Sequence, residues 1–80
     1  MIYTSYDRAR SAITQKWRDA LAFIQIGEAD DAERLQAEIA AMTFPDITEP
    51  QKRFAIARYV DLAVAGIGNA ISGVKQCAQS

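Results

Sequence analysis

Apolar residues recur at steps of three and four along most of the chain, and the breaks in that rhythm divide it into three helices. In the first, Tyr6, Ala9, Ile13, Trp17, Ala20 and Ile24 fall within about 80° of arc at 100° per residue, and Leu21 and Phe23 widen the stripe on either side. Thr4 with Asp7 three residues on reads as an N-cap, and Gly27 as the C-terminal stop, which predicts a helix over about 5–26. Asp30 and Glu33 form an acidic version of the capping box ahead of Ala32, Leu35, Ile39 and Met42, predicting a second helix over about 31–42. Pro45 opposes helix at the residue before it, so residues 43–47 are a linker whose Phe44 and Ile47 plug the end of the core. Thr48 with Gln51 makes a second capping box, and Pro50 sits in the first turn, where its missing N–H does no harm; the third helix is expected over about 49–77. The predicted fold is all-α, a three-helix antiparallel arrangement in a single domain over residues 1–80.

The third helix is the unusual element. From 54 to 77 nearly every position is apolar or small, apart from Arg58, Asp61, Asn69, Ser72, Lys75 and Gln76. Asp61, Asn69, Ser72 and Gln76 all fall within about 60° of Arg58, so a single polar stripe runs along the helix. At 1.5 Å per residue the three helices would be roughly 33, 18 and 43 Å long, and the first two are too short to wrap the third. Apolar surface left uncovered marks an interaction site, so the third helix is expected to pack on a second copy in a symmetric homodimer. Its small residues indicate where: Ala63, Gly66, Ala70 and Gly73, with Ile67 and Val74 beside them, form a shallow groove that another helix can approach closely. Glycines 66, 68 and 73 each weaken an isolated helix by about 1 kcal/mol relative to Ala, so the alternative is a break near 66–68.

Composition removes most familiar chemistry. Half of the 80 residues are hydrophobic and 24% are charged, a folding composition, with roughly 60% of the chain's surface buried on folding. Without His and with only one Cys, the chain has no usual zinc site, no Ser-His or Cys-His nucleophile pair and no internal disulfide. Asp30 and Asp31 point about 100° apart on a helix and are no carboxylate dyad. No cofactor and no metal are expected, and the chain reads as non-enzymatic. Tyr3, Tyr6, Trp17 and Tyr59 have core spacing, while an exposed Tyr or Phe23 would serve as a binding anchor. Cys77 reads as a small apolar contact or a terminal thiol. Residues 1–8 lead into charged helix rather than an apolar signal core, and the longest uncharged stretch, 62–74, is short of the roughly 20 residues that cross a bilayer. The expectation is a cytoplasmic protein without membrane contact, with 62–74 a buried helical stretch rather than a span.

Charge is segregated. Residues 1–18 hold four basic residues and one acid, 19–49 one basic residue and eight acids, and 50–80 four basic residues and one acid, giving +3, −7 and +3. The acids are densest at Glu28, Asp30, Asp31 and Glu33, where the dipole of the second helix favours carboxylates. The same patch has a functional reading: it would face a basic, nucleic-acid-binding surface of a larger partner. Arg8, Arg10, Lys16 and Arg18 are expected to meet acids of the second helix in surface pairs. The order helix, connection, helix, with Lys52, Arg53 and Arg58 opening the last, superficially matches a helix-turn-helix. The proline-containing connection is too long for that motif, the would-be reading helix is apolar and the net charge is −1, which argues against direct nucleic-acid binding.

In size and composition, and in no specific motif, the chain resembles the short, helical, acid-patched proteins that phages and mobile elements use as stoichiometric inhibitors, such as anti-CRISPR proteins and anti-activators. That resemblance implies an inhibitor or adaptor of a larger complex, dimeric through its third helix with the acidic patch free. The alternative is a self-assembling structural subunit, such as a virion component, whose third helix makes repeated head-to-tail contacts with copies of itself.

Overall fold

A computed structural model describes residues 5–79 of the chain, with side chains over 5–74. Three helices, α1 (Ser5–Gln25), α2 (Ala29–Ala41) and α3 (Pro50–Gln79), pack pairwise against one another, and the described residues contain no strand. The proposed cap at Thr4, the aromatic ring of Tyr3 and the thiol of Cys77 lie outside what is described.

Two short connections set the topology. At the end of α1, Gly27 adopts a left-handed φ of +83°, a conformation that favours a residue without Cβ. The turn it allows lets the Glu28 N–H donate to the Phe23 carbonyl (2.8 Å) and the Gly27 N–H to the Ile24 carbonyl (3.2 Å), a Schellman closure that satisfies the orphan carbonyls of α1. The chain reverses at once, and this moves the start of α2. Glu28 occupies the cap position, without a side-chain cap bond, and its carbonyl accepts the Ala32 N–H at 3.3 Å. The expected capping box at Asp30 and Glu33 is therefore corrected: Asp30 and Asp31 lie within the first turn, because the Schellman turn ends one residue before the helix begins. After α2, Phe44 and Ile47 close a tight turn by an N–H to carbonyl bond of 3.2 Å, with Pro45 at its second position, where a fixed φ is favoured. The start of α3 also shifts by one residue. Glu49 rather than Thr48 accepts the first helical bond, from Arg53 N–H at 2.9 Å; Pro50 is the first helical residue; and a Lys52–Glu49 ion pair at 3.5 Å stands where the capping box was expected.

Successive helices run antiparallel, so α1 and α3 are parallel: Thr14 of α1 meets Tyr59 of α3, and further along Trp17 meets Gly66. Ile13, Ile39 and Ile67, one from each helix, are the largest fully buried side chains. Each contributes on the order of 1.5–3 kcal/mol by its removal from water. Ala9, Ala20, Ala32 and Ala63 line the contacts between helices, and Ile47 and Ile56 seal the end below the linker, with Phe44 packed against them.

Helix α3 runs unbroken through its glycines, and two of them have packing partners within the chain. A Cβ at Gly66 would lie 2.9 Å from Cζ2 of Trp17, so only glycine lets the indole lie on the helix backbone. A Cβ at Gly68 would stand 3.0 Å from Nε2 of Gln36, whose amide donates to the Val64 carbonyl at 2.9 Å and ties α2 to α3. Nothing lies within 4 Å of a Cβ at Gly73. The two ends of the glycine row should therefore respond oppositely. Gly73→Ala should raise stability by about 1 kcal/mol through helix propensity. Gly66→Ala should lower it by about 1–2 kcal/mol, because pressing into a packed ring outweighs that gain. Urea unfolding of the two variants measures both signs.

Candidate interaction surface

The small-residue row assigned to a dimer contact is filled largely from within the chain. Ala63 and Ile67 are fully buried in the protomer core, Gly66 lies under Trp17 and Ala70 is half-buried, so of the six residues only Gly73 and Val74 are exposed. The physical reason is the parallel course of α1, whose indole reaches the groove before another molecule can.

Helix α3 is nonetheless far from covered. Its polar stripe faces solvent as its period requires, with Arg58, Asp61, Asn69 and Ser72 all exposed. Two large apolar side chains share that face: Phe54 is 70% exposed and Leu62 54%. The stretch 62–74, expected to be buried, is so on one side only, and the uncovered apolar surface expected of this helix lies on the other. The segment Pro50–Val74 is long and apolar enough to cross a membrane by length and composition, with 22% of its most apolar stretch buried. Against a lipid-facing role, Arg58 and Asp61 stand on the outward side, where each would cost about 2.5–3.5 kcal/mol at a bilayer centre.

Phe54, Arg58 and Leu62, spaced at i, i+4 and i+8, form a ridge along the first half of α3. On the α1 side lies a groove of ≈ 190 Å³ lined by Tyr6, Arg10, Ala55, Arg58, Tyr59 and Leu62. On the other side, Met42, Phe44, Arg53, Ile56, Ala57, Val60 and Asp61 bound a groove of ≈ 310 Å³. The wall between the ridge and α1 is held by three contacts at Tyr59. Tyr59 shares a 2.6 Å hydrogen bond between its hydroxyl and that of Thr14, and packs edge-on against Trp17 at 5.9 Å. The Arg10 guanidinium lies over its ring, 5.1 Å from the centroid. Among the described residues Arg58 has no ion pair, although Asp61 is one turn away.

The structure brings Glu28, Asp30, Asp31 and Glu33 together at the α1–α2 turn, forming an acidic pole at the end of the bundle opposite the start of α3. Glu28, Asp30 and Glu33 are exposed, whereas Asp31 is half-buried and paired with Arg34 at 3.1 Å. The pairing expected between α1 and α2 is realised by Lys16 and Glu38 at 3.9 Å; Arg10 turns instead to Tyr59. Among the described residues no three His, Cys, Asp or Glu side chains gather as metal ligands.

Phe54 was the residue that sequence reasoning missed. Phe23, Tyr6 and Tyr59, considered as anchors, are half-buried, and among the described residues the exposed aromatic is Phe54. A signal was present: Phe54 stands four residues before Arg58 and so falls on the polar stripe, the side most certain to face water.

Comparison with protein-family models, characterised proteins and solved structures found no match to this chain.

Two aromatic substitutions should separate scaffold from surface. Tyr59→Phe, which removes the hydroxyl bridging α1 and α3, should destabilise the fold by about 1 kcal/mol. Phe54→Ser removes an exposed ring and should stay within about 0.5 kcal/mol of the parent in chemical denaturation.

Proposed function

We propose that this chain is a small, non-enzymatic protein-binding module that acts stoichiometrically, as an inhibitor or adaptor of a larger complex. The observation that carries this reading is the outward face of α3, where Phe54 and Leu62 are 70% and 54% exposed beside an Arg58 that has no ion pair among the described residues. Exposed aromatic, arginine and aliphatic anchors on one rigid helix have the composition of an energetic hot spot, and their spacing matches helix-in-groove recognition. The acidic pole is a second surface, well separated from the first on a molecule 47 Å long. Its chemistry suits a basic surface on the larger partner, including one that otherwise holds nucleic acid.

The alternative, a self-assembling structural subunit, draws support from the same polarity, because an acidic pole at one end and arginines near the other suit head-to-tail contacts. The two readings differ in closure: an inhibitor forms a small closed species, whereas an assembly subunit grows with concentration.

A variant carrying Glu28→Lys and Asp30→Lys tests the acidic pole, since both side chains are exposed and neither is tied into an ion pair among the described residues. Photo-crosslinking from the acidic pole in the cells that produce the protein should trap one larger protein in fixed ratio with the parent chain, and the reversal should abolish that product. Unfavourable helix-dipole terms of about 0.3–1 kcal/mol per charge leave the variant folded, which circular dichroism verifies. An undiminished product would remove the acidic pole as the contact with the partner, and concentration-dependent multimers of this chain alone would contradict the inhibitor reading.

A further inference from the structure

The groove between α1 and the ridge is lined by two arginines and no carboxylate. Tyr6 and Arg10 come to it from α1, and Ala55, Arg58, Tyr59 and Leu62 from α3. Among the described residues neither Arg10 nor Arg58 has an ion pair, and neither guanidinium donates a hydrogen bond. Arg10 lays one face of its guanidinium on the Tyr59 ring, 5.1 Å from the centroid, which leaves the N–H groups in its plane free to donate. The Tyr6 hydroxyl also has no hydrogen bond among the described residues. The carboxylates nearest in sequence stand apart. Asp61 falls about 60° round the helix from Arg58, on the side away from Leu62, and borders the other groove. Asp7 is not among the lining residues and has an interaction of its own.

We infer that this groove receives an aspartate or glutamate side chain from an acidic amphipathic segment of a partner protein, held by Arg10 and Arg58 while neighbouring apolar residues of that segment pack on Leu62 and Phe54. The inference rests on reading the outward face of α3 as an interaction surface, and it adds the charge of what that surface takes. Any partner that covers Leu62 also removes water from the two guanidiniums beside it. A cation brought there meets two like charges, and an apolar group leaves both arginines desolvated without a partner, a steep penalty. An anion alone turns that desolvation into attraction, through charge-assisted hydrogen bonds that aromatic and aliphatic walls strengthen.

Size narrows the choice further. The groove holds ≈ 190 Å³, below the roughly 300–1,000 Å³ of small-molecule sites, so it suits one side chain rather than a metabolite or cofactor. A nucleic-acid strand would bring its phosphates against a chain of net charge −1, and an anionic bilayer would press on Asp61, which shares the outward face. A protein segment places a single acid where the two arginines are.

The test is selection of a random displayed peptide library against the folded full chain, with recovered peptides titrated by calorimetry. Peptides that lose binding to a chain carrying Phe54→Ser and Leu62→Ser are ridge binders. These should share an Asp or Glu beside large apolar residues, and replacing that acid by its amide should weaken binding about tenfold. Arg10→Gln and Arg58→Glu should weaken it to a similar extent, with circular dichroism verifying the fold of each. Changing the peptide acid to Lys should restore binding to the Arg58→Glu chain and to no other. Ridge binders that lack an acid, or that tolerate both arginine variants, would overturn the inference and leave the ridge as an interaction surface. A selection without ridge binders would overturn both. The groove's amide signals in nuclear magnetic resonance, followed with a single-stranded oligonucleotide and with vesicles of phosphatidylcholine and phosphatidylserine, identify other occupants. Tighter binding there of either probe than of the peptides, or shifts that grow with protein concentration alone, would assign the groove to phosphate groups or to a second copy and equally overturn it.

Discussion

The arrangement depends on one close approach, that of the Trp17 indole to the bare backbone of α3 at Gly66. A chain of this size buries only about 60% of its surface, so it gains most by bringing helices close over small residues. With the indole seated on Gly66, α1 lies parallel to α3 and Tyr59 comes within reach of Thr14 and Arg10. That contact also decides which side of α3 remains outside. The glycine row turns inward, and the opposite line, from Phe54 to Ala65, turns to solvent.

The acidic pole and the ridge follow from different constraints. The pole is fixed by the Schellman turn at Gly27, which starts α2 so early that Asp30 and Asp31 fall in its first turn, where the dipole favours them. The ridge is fixed by packing, because a helix of 30 residues cannot be covered by neighbours of 21 and 13. Local dipole energetics accounts for much of the first feature. No local term favours Phe54 or Leu62 in water, and this is why the ridge carries the functional argument.

Much of the architecture is legible in the residues. The 3.6-residue period of Tyr6, Ile13, Trp17 and Ile24, the stop at Gly27 and the punctuation at Pro45 and Pro50 locate three helices to within two residues at each end, among the described residues. What periodicity could not reveal was the fate of the glycines. Gly66 and Gly73 share one face of an isolated helix, and only the tertiary path of α1 shows that one is covered and the other open. Caps were mislocated for a similar reason. Asp30 and Thr48 have the right chemistry, but the preceding turns deliver Glu28 and Glu49 to the cap positions first. The site was legible in part: the acidic residues do gather at one pole, whereas the apolar ridge was not singled out, because Phe54 and Leu62 were counted in the apolar perimeter at large rather than on the polar stripe.

The most direct test of this account is a nuclear Overhauser experiment on the labelled chain, observing contacts between the indole ring of Trp17 and the α-protons of Gly66. Strong cross-peaks, with those protons shifted upfield by the ring current, are predicted. Their absence, with the Trp17 ring in contact with water, would leave the glycine row open, return the interaction surface to that side of α3 and contradict the arrangement described above.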